Sequence, residues 1–304
     1  MKLLKLKIIT VCLFFMAASG YTQNPINTSN HMTGKSTITG KDLLGLKSGA
    51  DPRKPTPIRA GYSRKKGRPV VFIIGDSTAK NGKDDGSNGQ WGWGHFLWES
   101  FDTTRVSVEN HALGGRSSRT FITEGLWAKV LAGVQPGDYV LIQFGHNDAG
   151  PYNTGRARAS LKGNGNADTT VVMEATGKAE NIHSFGWYMR RYARDTKAKG
   201  ATPVLLSHIP RNMFTSKDST AVIRNTSGFG KWTKDAAQIE NVPYIDVNSI
   251  IADKLDRMGK DSVRLMYHGD HTHTSGVGAI LNAKAVAEGI NGLNNCDLKK
   301  YLKK

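Results

Sequence analysis

Four polar blocks in this chain carry residue types used in nucleophilic acyl transfer. Gly75-Asp76-Ser77-Thr78 supplies a hydroxyl, Gly114-Gly115 a backbone turn, and Gly145-His146-Asn147-Asp148 an amide side chain. Asp270-His271-Thr272-His273 supplies an imidazole and a carboxylate. A serine hydroxyl is a weak nucleophile until a neighbouring base removes its proton. The histidines are the nearest usable bases. His273 has Asp270 three residues before it, a spacing that lets one turn hold the carboxylate against the ring and fix its tautomer. An oxyanion formed at Ser77 needs donors, which the Ser77 amide, the Gly115 amide and the Asn147 side chain can provide. Taken singly, each block has a plainer explanation. Gly-Asp-Ser is a common strand-ending turn, Gly114-Gly115 a tight turn, and Asn147 a cap.

These blocks must be brought together by the elements that precede them. Residues 70–74 are apolar and mostly β-branched and read as a buried strand, which puts Ser77 at the strand's carboxyl edge. In open α/β sheets that edge is where ligands bind. Further strands are expected at 106–109, 139–144, 203–207 and 243–246. Helices are expected near 95–101, 124–132, 179–199, 231–240, 249–258 and 278–289. Strands alternating with helices imply a parallel sheet covered on both faces. Residues 150–170 and 211–227 lack a clear period and read as long polar loops. No internal repeat is present.

The chain's ends have a different character. Lys2, Lys5 and Lys7 precede an apolar run at 8–18, followed by the small residues Ala17-Ala18-Ser19-Gly20. This is the pattern of a secretory signal peptide, too short to span a membrane as a helix, so residues 1–20 are expected to be removed and the protein to be periplasmic or extracellular. No later stretch is long and apolar enough for a spanning helix, so no stable membrane insertion is expected after cleavage. Residues 21–67 read as a flexible leader, 68–295 as the folded domain and 296–304 as a basic tail. Cys12 would leave with the signal, and Cys296 then has no partner for an intrachain disulfide. Losing the three signal lysines takes the formal charge from +17 to +14. That balance suits solubility and also attraction to acidic surfaces or acidic polysaccharides. Neither zinc-finger spacing nor an aromatic-basic RNA motif occurs, so nucleic acid is not an expected partner.

The blocks together, in order and in their placement after strands, resemble the SGNH (GDSL) hydrolases. The rhamnogalacturonan acetylesterase branch is closest, through Gly75-Asp76-Ser77-Thr78-Ala79-Lys80-Asn81-Gly82, Gly92-Trp93-Gly94, Gly115-Arg116-Ser117-Ser118-Arg119-Thr120-Phe121, Gly137-Asp138-Tyr139-Val140 and Asp270-His271-Thr272-His273-Thr274. The resemblance covers about residues 69 to 290. It implies a flavodoxin-like three-layer α/β/α fold with a five-stranded parallel sheet. It also implies Ser77 as nucleophile, His273 as base and Asp270 as its orienting partner, with Ser77, Gly115 and Asn147 in the oxyanion hole. The implied activity is removal of O-acetyl groups from an acidic pectic polysaccharide, with no cofactor and no metal. Oligomeric state is left open, and the family's disulfides have no counterpart here.

Other readings fit less well. His268, His271 and His273 lack the i, i+4 spacing of a zinc helix. Six residues separate Gly75 from Gly82, and Asp84 stands where a phosphate loop needs Ser or Thr. Ala79 breaks the G-x-S-x-G elbow of the α/β-hydrolases. Another polysaccharide deacetylase or a lipase or thioesterase would share the site, whereas an inert carbohydrate-binding domain would not need all of these groups.

Overall fold

The computed structural model describes residues 63–80, 86 and 88–304. The signal segment 1–20 and the leader up to residue 62 lie outside the described residues. Strand β1 (Val70–Gly75) is buried along its whole length. It is followed by short 3₁₀ turns at Trp93–His95 and Leu97–Ser100, β2 (Ser107–Asn110), helix α1 (Thr120–Thr123), α2 (Leu126–Gly133) and β3 (Tyr139–Gln143). An antiparallel hairpin of β4 (Asp168–Val172) and β5 (Ala179–His183) leads into α3 (Phe185–Ala198) and β6 (Thr202–Leu206). The chain closes with α4 (Gly228–Glu240), β7 (Tyr244–Ile245), α5 (Val247–Asp256), α6 (Lys260–Leu265), α7 (Gly276–Asn291) and a last 3₁₀ turn at Asp297–Tyr301.

Five strands form one parallel sheet in the order β2-β1-β3-β6-β7. Alternate residues of each strand enter opposite cores, which is why the strands read as unbroken apolar runs. Val71, Ile73, Leu141, Val204 and Leu206 pack with α5, α7 and Trp93, while Val70, Phe72, Ile74, Val140, Ile142 and Leu205 pack with α1 through α4. This is the expected three-layer α/β/α arrangement. The strand order reverses direction around β1, so a crevice opens between the carboxyl ends of β1 and β3. Gly75 closes that end tightly: a Cβ there would lie 2.8 Å from the Gln143 carbonyl oxygen.

Helix starts follow local capping chemistry. Ser184 accepts from the Trp187 amide, Asp246 from the Ser249 amide and Ser275 from the Gly278 amide. Four segments differ from the sequence expectation. The first five residues of the expected 179–199 helix are strand β5, because Ser184 caps α3 and separates it from the hairpin. Its partner β4 begins in the expected 150–170 loop and runs past its end; every second residue is exposed, so it lacks the unbroken apolar run of the sheet strands. Residues 95–101 form 3₁₀ turns rather than an α-helix. The stretch 296–304, expected as a basic tail, is packed: Leu298 and Cys296 are buried, Leu302 bridges to Phe101, and the Lys303 amide donates to the Ser100 carbonyl. Its apolar residues Leu298, Tyr301 and Leu302 recur at i, i+3, i+4 among the lysines.

Two buried cations tie the hairpin and the loop before it to the core: Arg190 donates to Asn164, Gly165 and Asn166 just ahead of β4, and Arg119 holds the segment further back. Arg119, fully buried beside α1, donates to the Tyr152 and Ala157 carbonyls and faces Glu180 at 3.4 Å. Replacing it by Met leaves those carbonyls without a donor, at a cost of about 2 kcal/mol. We expect Arg119→Met to lower the Tm by roughly 4–8 °C in a calorimetric scan and to speed proteolytic nicking between residues 150 and 161. An unchanged Tm and cleavage pattern would show that the loop is held by other contacts.

Candidate active site

The turn after β1 is built by Asp76. Its Oδ1 accepts from the Thr78 amide at 2.9 Å and the Thr78 hydroxyl at 2.8 Å, and burial pushes its carboxyl above the usual range against those hydrogen bonds. The Ala79 and Lys80 amides both donate to the Asp76 carbonyl. The Ser77 side chain is therefore presented at the sheet edge by a turn that Asp76 Oδ1 and the Asp76 carbonyl hold in shape.

The loop before α7 comes to meet it. Tyr267 bridges to Thr274, and the Thr274 hydroxyl donates to the Trp91 carbonyl at 2.7 Å. Within this closed loop Asp270 Oδ1 accepts from the amides of Thr272 (2.6 Å) and His273 (2.8 Å). Its Oδ2 lies 2.6 Å from His273 Nδ1, and His273 Nε2 lies 2.9 Å from Ser77 Oγ. An ionised carboxylate only accepts, so Nδ1 carries the proton and Nε2 is the acceptor for the serine hydroxyl. Partial burial would raise the Asp270 pKa, but the His273 ring and the two amides outweigh it and hold it down at about 2.

The expected oxyanion donors gather on the other side of Ser77. Gly115 sits at φ +79°, a left-handed conformation that favours glycine. Three successive carbonyls of this turn are tied back by side chains. Gly114 O accepts from Arg116 Nη1 at 3.0 Å, Gly115 O from Arg158 Nη1 at 3.2 Å, and Arg116 O from Asn147 Nδ2 at 2.9 Å. Asn147 Nδ2 retains a second hydrogen. The Ser77 and Gly115 amides have no acceptor among the described residues. Behind them, buried Asp148 accepts from the amide and hydroxyl of Ser118 and from the Ser160 hydroxyl, joining the ends of β2 and β3 to the 150–161 loop. Burial raises its carboxyl to about 6 despite those hydrogen bonds.

A cleft of about 480 Å³ opens over Ser77 and His273, with Gly115 and Asn147 in its wall. The structure thus brings together all five residues singled out in the sequence: Ser77, Gly115, Asn147, Asp270 and His273. Sequence reasoning missed the cations of this wall, Lys80, Arg156, Arg158 and Arg211, because three of them lie in loops without periodicity. His271 contributes its carbonyl to the Asn212 amide, and its side chain does not line the cleft. Among the described residues no three His, Cys, Asp or Glu side chains gather in metal-binding geometry.

A parallel α/β/α domain with a Ser-His-Asp chain at its switch point defines a class of serine hydrolases. The model of the GDSL-like lipase/acylhydrolase family matches residues 73–279. The chain belongs to that family and is a carboxylic ester hydrolase. It is 31% identical to a rhamnogalacturonan acetylesterase of Emericella nidulans, over 73% of this chain and 84% of the relative. It is 28% identical to a probable rhamnogalacturonan acetylesterase, YesY, of Bacillus subtilis, over 73% of this chain and 93% of the relative. Among solved structures, the Bacillus subtilis protein YxiM superposes with a TM-score of 0.59 at 25% identity, over 74% of this chain and 56% of that one.

Because the folded Asp270 value is depressed, its ionisation stabilises the fold above the ordinary carboxylate range, and that contribution is lost as pH falls through about 2. Carbon NMR of the Asp270 carboxyl should therefore give a midpoint near that value. His273→Ala should move the midpoint upward, since the largest stabilising hydrogen bond is removed. A midpoint in the ordinary carboxylate range in the unmodified protein would mean that the Asp270–His273 pair does not form in solution.

Proposed function

We propose that the protein is a secreted carbohydrate esterase that removes O-acetyl groups from a pectic, rhamnogalacturonan-type polysaccharide. The observation that carries this reading is the chain of contacts from Asp270 through His273 to Ser77. The names of the relatives support the acetyl ester and the polysaccharide. The basic, apolar and small-residue segments of the first 20 residues support export, to the periplasm or the medium.

Ser77 Oγ attacks the acetyl carbonyl carbon while His273 Nε2 takes its proton. The carbonyl oxygen becomes an oxyanion, held by the amides of Ser77 and Gly115 and by the spare hydrogen of Asn147 Nδ2. Collapse breaks the ester bond, and His273 gives the proton to the departing sugar hydroxyl. Water, deprotonated by the same nitrogen, then attacks the acetyl-serine; the bond to Ser77 Oγ breaks, His273 Nε2 returns the proton to that oxygen, and acetate leaves. Asp270 keeps the ring in the required tautomer and stabilises the imidazolium at each transfer.

Ser77→Ala should lose on the order of 10³-fold or more in kcat for acetate release while keeping its Tm. Turnover by this variant comparable to the unmodified enzyme would remove Ser77 from the mechanism. Both ring nitrogens of His273 are already engaged by Asp270 and Ser77. Dialysis against EDTA is therefore expected to leave acetate release unchanged. Loss of activity that zinc restores would instead point to a metal-dependent step.

A further inference from the structure

The wall of the cleft carries three arginines, Arg156, Arg158 and Arg211, that make no ion pair with a carboxylate among the described residues. Arginines elsewhere on this domain mostly do: Arg64 pairs with Asp138, Arg116 with Glu124, Arg194 with Glu240 and Arg224 with Asp253 and Asp256. Gathering three unpaired guanidinium groups around one cavity is electrostatically unfavourable unless an anion enters it.

The backbone that carries two of them is held in an uncommon shape. Ala157, between Arg156 and Arg158, has φ +44°, a left-handed conformation costly for a residue with a Cβ. Its carbonyl is gripped by buried Arg119 and its amide donates to the Thr154 carbonyl at 2.9 Å. This fixed turn sets both neighbouring arginines on the cleft. Arg158 has a second contact, from Nη1 to the Gly115 carbonyl, in the turn that offers an amide beside Ser77. A guanidinium has five donors, so one hydrogen bond to Gly115 leaves a fork for a ligand.

We infer that Arg156, Arg158 and Arg211 form a subsite for the carboxylate of a uronic-acid sugar in the substrate, with Arg158 also positioning the Gly115 turn. This rests on the acetylesterase reading for the ester that is cut, and adds which groups select the sugar. Planar carboxylates fit guanidinium forks two bonds at a time. Ser77 and the three arginines line the same cleft of about 480 Å³, so one substrate chain can meet both. Binding the carboxylate offsets part of the cluster's charge and ties the recognised sugar to the turn that faces the oxyanion. Arg158 is thus a positioning residue as well as a specificity residue.

Two measurements on the full chain test this. In calorimetric titrations, a trigalacturonate should bind at least about tenfold more tightly than the matching neutral galactose trisaccharide. Arg156→Gln and Arg211→Gln should each shrink that ratio several-fold, whereas Arg264→Gln, the same charge loss on exposed α6, should preserve it. Equal affinities for the acid and neutral sugars in the unmodified protein, or an unchanged ratio in the two cleft variants, would overturn the subsite. On p-nitrophenyl acetate, which has no carboxylate, Arg158→Gln should lower kcat by about tenfold, clearly more than Arg156→Gln does. Equal effects of the two variants would overturn the positioning role. If the protein bound trigalacturonate selectively but hydrolysed no acetyl ester, the subsite would be supported and the esterase reading lost.

Discussion

The contact of His273 with Ser77 joins residues 196 positions apart, and much of the domain is arranged to make it. Ser77 is fixed by β1, whose residues are buried on both faces of the sheet. His273 is fixed by a loop pinned at both ends, through Tyr267 with Thr274 and through Thr274 with Trp91. Trp91 and Trp93 are buried in the same core as β1 and α7, so the apolar packing under the sheet also sets the distance across the cleft. The geometry of the site is a consequence of core packing rather than of local turns alone.

Buried carboxylates organise the opposite wall. Asp76 shapes the turn that carries Ser77, and Asp148 draws the Ser118 turn and the Ser160 loop onto the end of β3. Both carboxyls are raised by burial, yet each accepts several hydrogen bonds, which gives rigid anchor points close to the reacting groups. The three tied-back carbonyls of Gly114, Gly115 and Arg116 extend the same principle. A backbone turn whose carbonyls are all committed presents its amides without reorganisation.

The sheet and the residues gathered at its edge were legible in the sequence because their signals are local. An unbroken apolar run ending in Gly-Asp-Ser reads as a parallel strand with a polar edge, and Asp270 with His273 reads as one turn. The hairpin was hidden because β4 faces solvent on one side, and Ala179 to His183 runs without a break in composition into the helix that follows. The arginine wall was hidden for another reason. Arg156 and Arg158 flank the Ala157 turn, which is held in part by Arg119, about forty residues earlier. The packed C-terminal stretch shows the same limit: its lysines dominate the composition, while Leu298 and Leu302 decide its position.

The central claim is that Ser77 is activated by His273 in this geometry. A fluorophosphonate probe reacts covalently with a serine that has such a base beside it, and peptide mass mapping identifies the residue labelled. The account predicts one adduct per chain, on Ser77, forming far more slowly in the His273→Ala variant. An adduct on a different residue, or labelling of Ser77 at the same rate without His273, would contradict it.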